Sequence, residues 1–418
     1  MRILYLSQYF PPEVGATQTR AYEMARGLVR ARHRVTMISE VPNHPSGIIP
    51  PAYKGKLFER ANLDGIDVIR VWVKTSPTKN MYTRLAFYLS YMVHATLAGV
   101  LLAQRPFDLI YATSPPLFVG GAGLALSFLH HTPMIFEVRD LWPESASALG
   151  EIVNPKAYAL AARLEEACYR RSEAIVVVTQ GIMDRLIERK IPPQKLTLIP
   201  NGANVDHFQF RPEGRIQIRK IMRLENKFIV IYAGIHGIAQ GLETVIKTAQ
   251  TLQNDQEIHF LMVGEGPQKG EIIRLVKECV LSNVTFIPEQ PRDVIRDYLS
   301  AADVALIPLK NLDLFKRALP SKMFDAWACS RPILLCVDGE ARDVLNKAEG
   351  GIFVPPEDAT AMAKAILDLK KNPVLREIMG RNGRAFTERH YSRQVQAIQL
   401  VRLLEQIILG SSRSNKWR

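Results

Sequence analysis

Cysteine is scarce in this chain: the 418 residues include four, at positions 168, 279, 329 and 336. They form no CxxC or CxxH spacing, so neither a zinc knuckle nor a disulfide framework is supported. Buried free thiols in a reducing compartment are the simpler account. No GxGxxG follows the first strand signal, and a Walker A loop, HExxH and GxSxG are all missing. These absences remove the commonest chemistries of α/β proteins. Acid is in deficit: 41 Asp and Glu face 54 Lys and Arg, leaving a formal charge of +13. Nucleic acid, anionic lipid headgroups and phosphorylated substrates are all compatible with that excess. No zinc finger, aromatic RNP motif or basic zipper accompanies it, so a nucleic-acid partner is not expected. The opening MRILYLSQYF reads as a strand and lacks the parts of a secretory signal, which places the protein in the cytoplasm.

Length suggests two domains. A hydrophobic share of 47% with 23% charged residues is ordinary for a globular chain. Strand signals at 2–7, 35–39, 68–73, 108–113, 134–138 and 174–179 alternate with helical stretches. The pattern restarts at 228–234 and continues at 259–264, 284–288, 303–308, 332–337 and 352–354. Short β-branched runs between helices imply parallel sheets covered on both faces. The expected organisation is α/β: a domain over 1–206, a polar, basic linker over 207–227, a domain over 228–390, and a helix with a basic tail over 391–418. Ligands in doubly wound sheets bind at the carboxyl ends of the strands, and two facing sheets leave a cleft. Residues 85–103 are long enough to span a bilayer, but Ser90, His94 and Thr96 interrupt them and a span would cut the first domain in two. Two readings stay open, a long buried helix or one partly exposed to an anionic membrane surface beside the cations of 74–84.

The stretch RALPSKMFDAWACSRP (317–332) opens a helix. Pro320 ends what precedes it, Ser321 is a good N-cap, and Lys322 adds a full charge to the anion-attracting helix start. Asp325 shares a face with Ser321, while Phe324, Trp327 and Ala328 bury another. A phosphate seat with a carboxylate nearby and a capped core helix both fit these residues. In PPEVGATQTR (11–20), Gly15 allows close backbone approach just before a helix start. VGEGPQKGE (263–271) and DGEARDVL (338–345) each follow a strand, the second with Glu340 near a helix start.

FEVRDLWPESASALG (136–150) and LPSKMFDAWA (319–328) carry a resemblance. From residue 2 to about 395 the sequence resembles the retaining, nucleotide-sugar-dependent glycosyltransferases of GT-B fold, family 4 type. Within them it looks most like bacterial enzymes that extend O-antigen or capsule repeats on a polyprenyl-linked acceptor. The resemblance implies two Rossmann-like domains facing across a cleft, with the C-terminal helix crossing back to the N-domain. It also implies a UDP-linked donor on the C-domain, a lipid-linked saccharide acceptor on the N-domain, and no cofactor or metal. Peripheral contact with the inner face of the plasma membrane would follow.

By the same resemblance, Ser321 and Lys322 meet the donor diphosphate and Asp325 binds the ribose. Gly15, Glu340, His236, Gln240 and Lys269 would complete the donor site, with Arg274 as an alternative to Lys269. The chain departs from the family at Arg317, where a second Glu is usual, and at His236 and Gln240, where Arg and Lys often hold phosphates. Asp140 in VRDLWPES is the catalytic candidate, a polar group near the reacting centre; capping the next turn or pairing with Arg139 is its structural alternative. His44 in VPNHPSG either faces the acceptor or is solvated. Two other functions stay open: a sugar-nucleotide epimerase of the same architecture, and a catalytically silent scaffold.

Overall fold

The structure, a computed structural model, describes residues 1–414 except 14, 44–45, 78–80, 149 and 151, with backbone alone at 81 and 411–414. His44, Lys79 and the side chains of the basic tail lie outside the described residues. The chain divides into two units, residues 1–200 with 396–418 and residues 201–395.

Unit 1 holds strands β1 (Arg2–Leu6), β2 (Arg34–Glu40), β3 (Phe58–Leu63), β4 (Ile66–Val71), β5 (Leu109–Ser114), β6 (Met134–Val138), β7 (Ala174–Val177) and β8 (Leu196–Leu198). Between them run helices α1 (Ala16–Arg30), α2 (Met81–Leu101), α3 (Phe118–Leu129), α4 (Glu144–Ala148), α5 (Pro155–Arg171) and α6 (Gln180–Glu188). The strands form one sheet in the order β3-β4-β2-β1-β5-β6-β7-β8. Alternation along each strand sends Leu4, Leu6 and Ile38 to one face, against Ala95 and Ala98 of α2 and Ala122 of α3. Ile3, Tyr5 and Met37 go to the other, against Met24, Ala25 and Leu28 of α1. This is the doubly covered sheet the β-branched runs predict.

One strand departs from that expectation. β3 pairs antiparallel with β4, and none of its residues is fully buried, with Arg60, Ala61 and Asn62 exposed, as at an exposed sheet edge. Asp64 and Gly65 join the two strands with φ of 50° and 83°, the paired positive φ of a tight hairpin turn that Asp-Gly favours.

Unit 2 begins with α7 (Pro212–Met222), then β9 (Phe228–Ala233), α8 (Leu242–Thr251), β10 (Ile258–Val263), α9 (Lys269–Glu278), β11 (Val284–Ile287), α10 (Arg292–Ala301) and β12 (Val304–Pro308). It continues through α11 (Lys322–Ala328), β13 (Ile333–Cys336), α12 (Glu340–Ala348), β14 (Gly351–Phe353), α13 (Ala359–Lys371) and α14 (Pro373–His390). A last helix, α15 (Arg393–Ser414), starts in unit 2 and continues in unit 1, where Ala397, Leu400 and Leu404 pack on the α1 side of the sheet. The second sheet is parallel, in the order β11-β10-β9-β12-β13-β14.

The segment 207–227 is not the linker its composition suggests. Two of its arginines, which look solvent-bound in sequence, face inward: Arg215 and Arg219 both pair with Asp303, at 2.8 and 2.6 Å. Asp303 also accepts the amide of Ile229 at the head of β9. Burial works to raise this carboxyl's pKa, but the two guanidinium groups overcome it and hold the acid below its usual range. Helix α7 is thereby riveted to the edge of the second core.

Candidate active site

Each sheet reverses its strand order once, between β1 and β5 in unit 1 and between β9 and β12 in unit 2. The loops leaving the carboxyl ends of those strands are where a doubly wound sheet binds ligands. Of the nine candidate residues, Gly15 and Asp140 belong to unit 1 and the other seven to unit 2.

In unit 2, the loop after β9 and the loop after β10 lie against each other. The His236 amide donates to Glu265 O at 2.8 Å, and the Gln268 amide to His236 O at 2.9 Å. The approach is possible because residue 264 is glycine: at its φ of 140°, a Cβ would lie 2.0 Å from Gly234 O. This clasp pushes the His236 ring into the interior, between Tyr232 and Phe286. The backbone of Val263 acts on the ring and works to raise its pKa, but neither ring nitrogen makes a well-formed hydrogen bond among the described residues. Burial, with Lys269 and Lys322 adding to it, lowers its pKa to about 4.

Lys322 enters from α11, the helix that follows β12. Its Nζ donates to the Tyr232 hydroxyl at 2.9 Å and lies 4.3 Å from the centre of that ring. It makes no ion pair among the described residues. Burial without a counter-charge lowers its pKa to about 7. Lys269, at the start of α9, is differently placed: it donates to Gly264 O and pairs with Glu265 at 2.6 Å, so its charge is already met. Gln240 folds back over Gly237 in its own loop.

Ser321 corrects the N-cap expectation. It already has helical φ and ψ of −60° and −27°, and its side chain caps nothing. Its carbonyl accepts from the amides of Phe324 and Asp325, while Pro320 O accepts from Met323. The first turn therefore starts one residue earlier and is closed by backbone. Asp325 does not face Lys322; the charges acting on it are Arg393 and Arg292, and burial outweighs them to raise its pKa to about 6. Phe324, Trp327 and Ala328 are buried, as the spacing predicts, and so is Met323; the Trp327 indole donates to Gly350 O at 2.8 Å. Glu340 is the first residue of α12, and its charge reaches Tyr391, the ring stacked on Phe324 at 4.2 Å.

In unit 1, Asp140 sits in the turn after β6. Its carboxylate accepts from Ser145 Oγ at 2.8 Å and its carbonyl from the Trp142 amide at 3.0 Å, so it does brace the turn into α4. Gly15 heads α1, where a Cβ would meet only the flexible end of Gln18. Beneath the Asp140 turn lies a buried ion pair, Arg20–Glu137 at 2.8 Å, both side chains essentially without solvent contact. Arg20 also donates to the carbonyls of Ile199 and Pro200, and Tyr111 and Thr113 donate to Glu137. This network fixes α1 to the middle of the sheet.

Both halves match glycosyltransferase families. Residues 15–202 match the glycosyl transferase 4-like domain, and residues 214–386 match the glycosyl transferases group 1. The chain is a family 4 glycosyltransferase of GT-B fold. It is 25% identical over 391 residues to WcaI of Escherichia coli strain K12, named for a colanic acid biosynthesis glycosyl transferase; the match covers 90% of this chain and 95% of that protein. Among solved structures, sucrose-phosphate synthase from Thermosynechococcus elongatus superposes with a TM-score of 0.76 at 20% identity, covering 98% of this chain and 100% of that one. HepE of Anabaena, solved with UDP-glucose, gives 0.73 at 17% identity, covering 97% and 100%.

Several residues that the structure gathers around the candidates are inconspicuous in sequence. Tyr232, the hydroxyl that holds Lys322, closes an apolar strand and reads as core. Glu137 was detectable as a lone acid inside MIFEV, a strand buried throughout. Gln8, Glu13, Glu40 and Asn43, clustered at the ends of β1 and β2, carry no spacing signal. Among the described residues, no group of three or more His, Cys, Asp or Glu side chains is placed to hold a metal ion.

Proposed function

We propose that this glycosyltransferase moves a sugar from a UDP-linked donor onto a polyprenyl-diphosphate-linked saccharide in the assembly of a bacterial surface polysaccharide. The reaction proceeds with retention and without a metal. The observation that carries this reading is Lys322, held at the switch point of the second sheet by a tyrosine and, among the described residues, by no carboxylate, near the buried ring of His236. Lys322 has no carboxylate partner among the described residues, and Glu265, the acid that acts on His236, is already paired with Lys269, so the two nitrogenous groups form a seat for an anion. A diphosphate there supplies what the protein leaves out.

The chemistry follows from where charge develops. As the bond from the anomeric carbon to the phosphate oxygen breaks, positive charge grows on the carbon and negative charge on the departing diphosphate. Fixed donors and cations facing that oxygen lower the barrier by several kcal/mol. The acceptor oxygen attacks from the same face and its proton passes to the leaving phosphate oxygen, so no side chain need be a strong base. Asp140, already oriented by Ser145, is the proposed polar group beside the reacting centre. Asp325 takes the ribose hydroxyls, and Ser321, Glu340, Gln240, Lys269 and Gly15 complete the donor contacts.

Support for the finer points comes from relatives and from the surface of unit 1. HepE was solved with UDP-glucose, and WcaI is named for colanic acid synthesis. No described helix is long and apolar enough to cross a membrane. Helix α2 nevertheless turns Tyr82, Leu85, Leu89, Val93, Leu97 and Leu101 outward, each 37–78% exposed. That row, spaced three and four residues apart, gives peripheral contact with the cytoplasmic leaflet, where a lipid-linked acceptor would be presented.

Incubating the protein with a panel of nucleotide sugars, bacterial membrane extract and EDTA tests the reading. The expected result is release of free UDP with label passing to lipid, unaffected by the chelator. Conversion of the sugar without release would instead mark an epimerase. No turnover and no release would mark a binding scaffold.

A further inference from the structure

Tyr232 is the last residue of β9 to face the core that holds Val230, Met262 and Leu306. It is 0% exposed, yet its hydroxyl meets two groups of the second unit's site. It donates to Ile235 O at 2.6 Å and accepts from Lys322 Nζ at 2.9 Å. A phenol has one proton to give, and burial raises the Tyr232 pKa far above its ordinary value, so that proton stays. With the proton committed to Ile235, the oxygen offers the amine a lone pair alone. Lys322 is therefore the donor whether or not it is charged.

The same corner is shaped to keep the amine in place. Gly234 follows with a φ of 152°, and a Cβ there would lie 2.9 Å from Lys322 Nζ and push it away. The face of the Tyr232 ring, 4.3 Å from the ammonium to its centre, adds a cation–π attraction. Ile235 is tied by its carbonyl while the residue stays 58% exposed, so the hydroxyl fixes the backbone of the loop and not its apolar tip. One oxygen thus links strand β9, the loop after it and helix α11. The other titratable groups gathered here are His236, which burial keeps neutral at pH 7, and the Lys269–Glu265 ion pair. Asp325, on the same helix as Lys322, is acted on by Arg393 and Arg292 instead.

We propose that Tyr232 is a positioning residue for the transfer reaction: its hydroxyl sets Lys322 and the Ile235 carbonyl in the arrangement that receives a donor diphosphate, without touching the donor. This rests on the reading of Lys322 as the diphosphate contact. A lysine has a long flexible stem, and ordering such a side chain during binding lowers affinity. Tyr232 orders it in advance, so the ligand meets an amine already in place. The hydrogen bond also favours the charged amine, which offsets part of the burial that discourages it.

A double-mutant cycle on the full chain tests this, with UDP as the probe and calorimetry between about pH 6 and pH 9. Tyr232→Phe keeps the ring in the core and removes the oxygen alone. UDP binding weakens about threefold to tenfold at pH 7. The pH at which affinity begins to fall moves down by about one unit, because the charged amine has lost its acceptor. In a Lys322→Met background the same substitution changes affinity by less than about twofold. Gly234→Ala, which keeps the hydroxyl and crowds the amine, is the second variant and follows the same pattern: a loss with Lys322 present, little change in Lys322→Met. Losses of equal size in both backgrounds, with the pH profile unmoved, would show that the phenol acts through packing and overturn the proposal. A Tyr232→Phe protein that binds UDP as the wild type does overturns it too. Either result leaves the proposed transferase standing, since the wild type still binds UDP. A wild type that binds no UDP overturns the donor reading as well.

Discussion

Lys322, at the proposed donor seat, has a phenol for company and no acid among the described residues, and its titration follows from that. Burial lowers its pKa from the usual 10.5 to about 7. Between those values the unfolded chain binds the extra proton, so the folded state gains stability as pH rises through the window. A diphosphate reverses the balance by favouring the charged amine, and above pH 7 its binding takes up a proton. Affinity for UDP therefore falls above pH 7, approaching about tenfold per pH unit. Calorimetry in buffers of different ionisation enthalpy reads both the uptake and the slope. Lys322→Met flattens the slope and costs about 1.5–3 kcal/mol of binding at pH 7; a slope unchanged by the substitution would show that another group titrates. Arg20 and Glu137 make the opposite case, a pair complete in itself. Burial works to raise the Glu137 pKa, but Arg20 and Arg139 overcome it and hold the carboxyl low. Glu137→Ala leaves the Arg20 charge buried and alone, and urea unfolding should register a loss of about 3–5 kcal/mol. Lys322 could be read from the sequence because a helix start with a charge is a local signal. The Gln8, Glu13, Glu40 and Asn43 cluster could not, because its members meet through sheet pairing across more than thirty residues.

At the scale of elements, the alternation of strands and helices was legible because burial on both faces demands runs of apolar residues, a pattern no loop imitates. β3 escaped because an edge strand with one solvated side shows charges where a buried one shows valine. Helix α7 escaped for a different reason: its arginines answer a single aspartate eighty-odd residues away, and composition alone reads such a segment as solvated. Helix α2 left two readings open, and the structure shows it buried on one side and exposed on the other. Tyr91, Ala95 and Ala98 are buried in the first core, while a row from Tyr82 to Leu101 faces outward. If that row meets lipid, Val93→Glu with Leu97→Glu should abolish flotation with liposomes containing anionic phosphatidylglycerol, and leave UDP binding and the melting temperature intact. Each buried glutamate forfeits the apolar transfer of its predecessor, about 2 kcal/mol, and adds repulsion from the headgroups. Flotation equal to wild type at low salt would remove α2 from the membrane surface.

The whole molecule is not two consecutive halves, although its family matches, at 15–202 and 214–386, follow one another along the chain. Residues 396–418 belong to unit 1, and Leu400 and Leu404 are fully buried in that unit's core beside Met24, Ala25 and Leu28. Gly27 shows how close the packing is, since a Cβ there would lie 2.4 Å from the Ala397 methyl. A fragment ending at residue 200 therefore exposes the α1 side of its sheet. Removing one buried leucine side chain costs about 2–5 kcal/mol, comparable with much of the stability of an ordinary domain. Losing the whole helical segment should leave residues 1–200 unfolded or aggregated, whereas the fragment joined by a flexible linker to residues 396–414 should fold cooperatively. Circular dichroism melts of the two fragments separate these outcomes. A sharp, reversible transition in residues 1–200 alone would mean that the returning helix covers the core without being needed to hold it. Leu400→Ala in the full chain provides the graded version of the same experiment, with an expected loss of about 2–5 kcal/mol in the transition that melts unit 1.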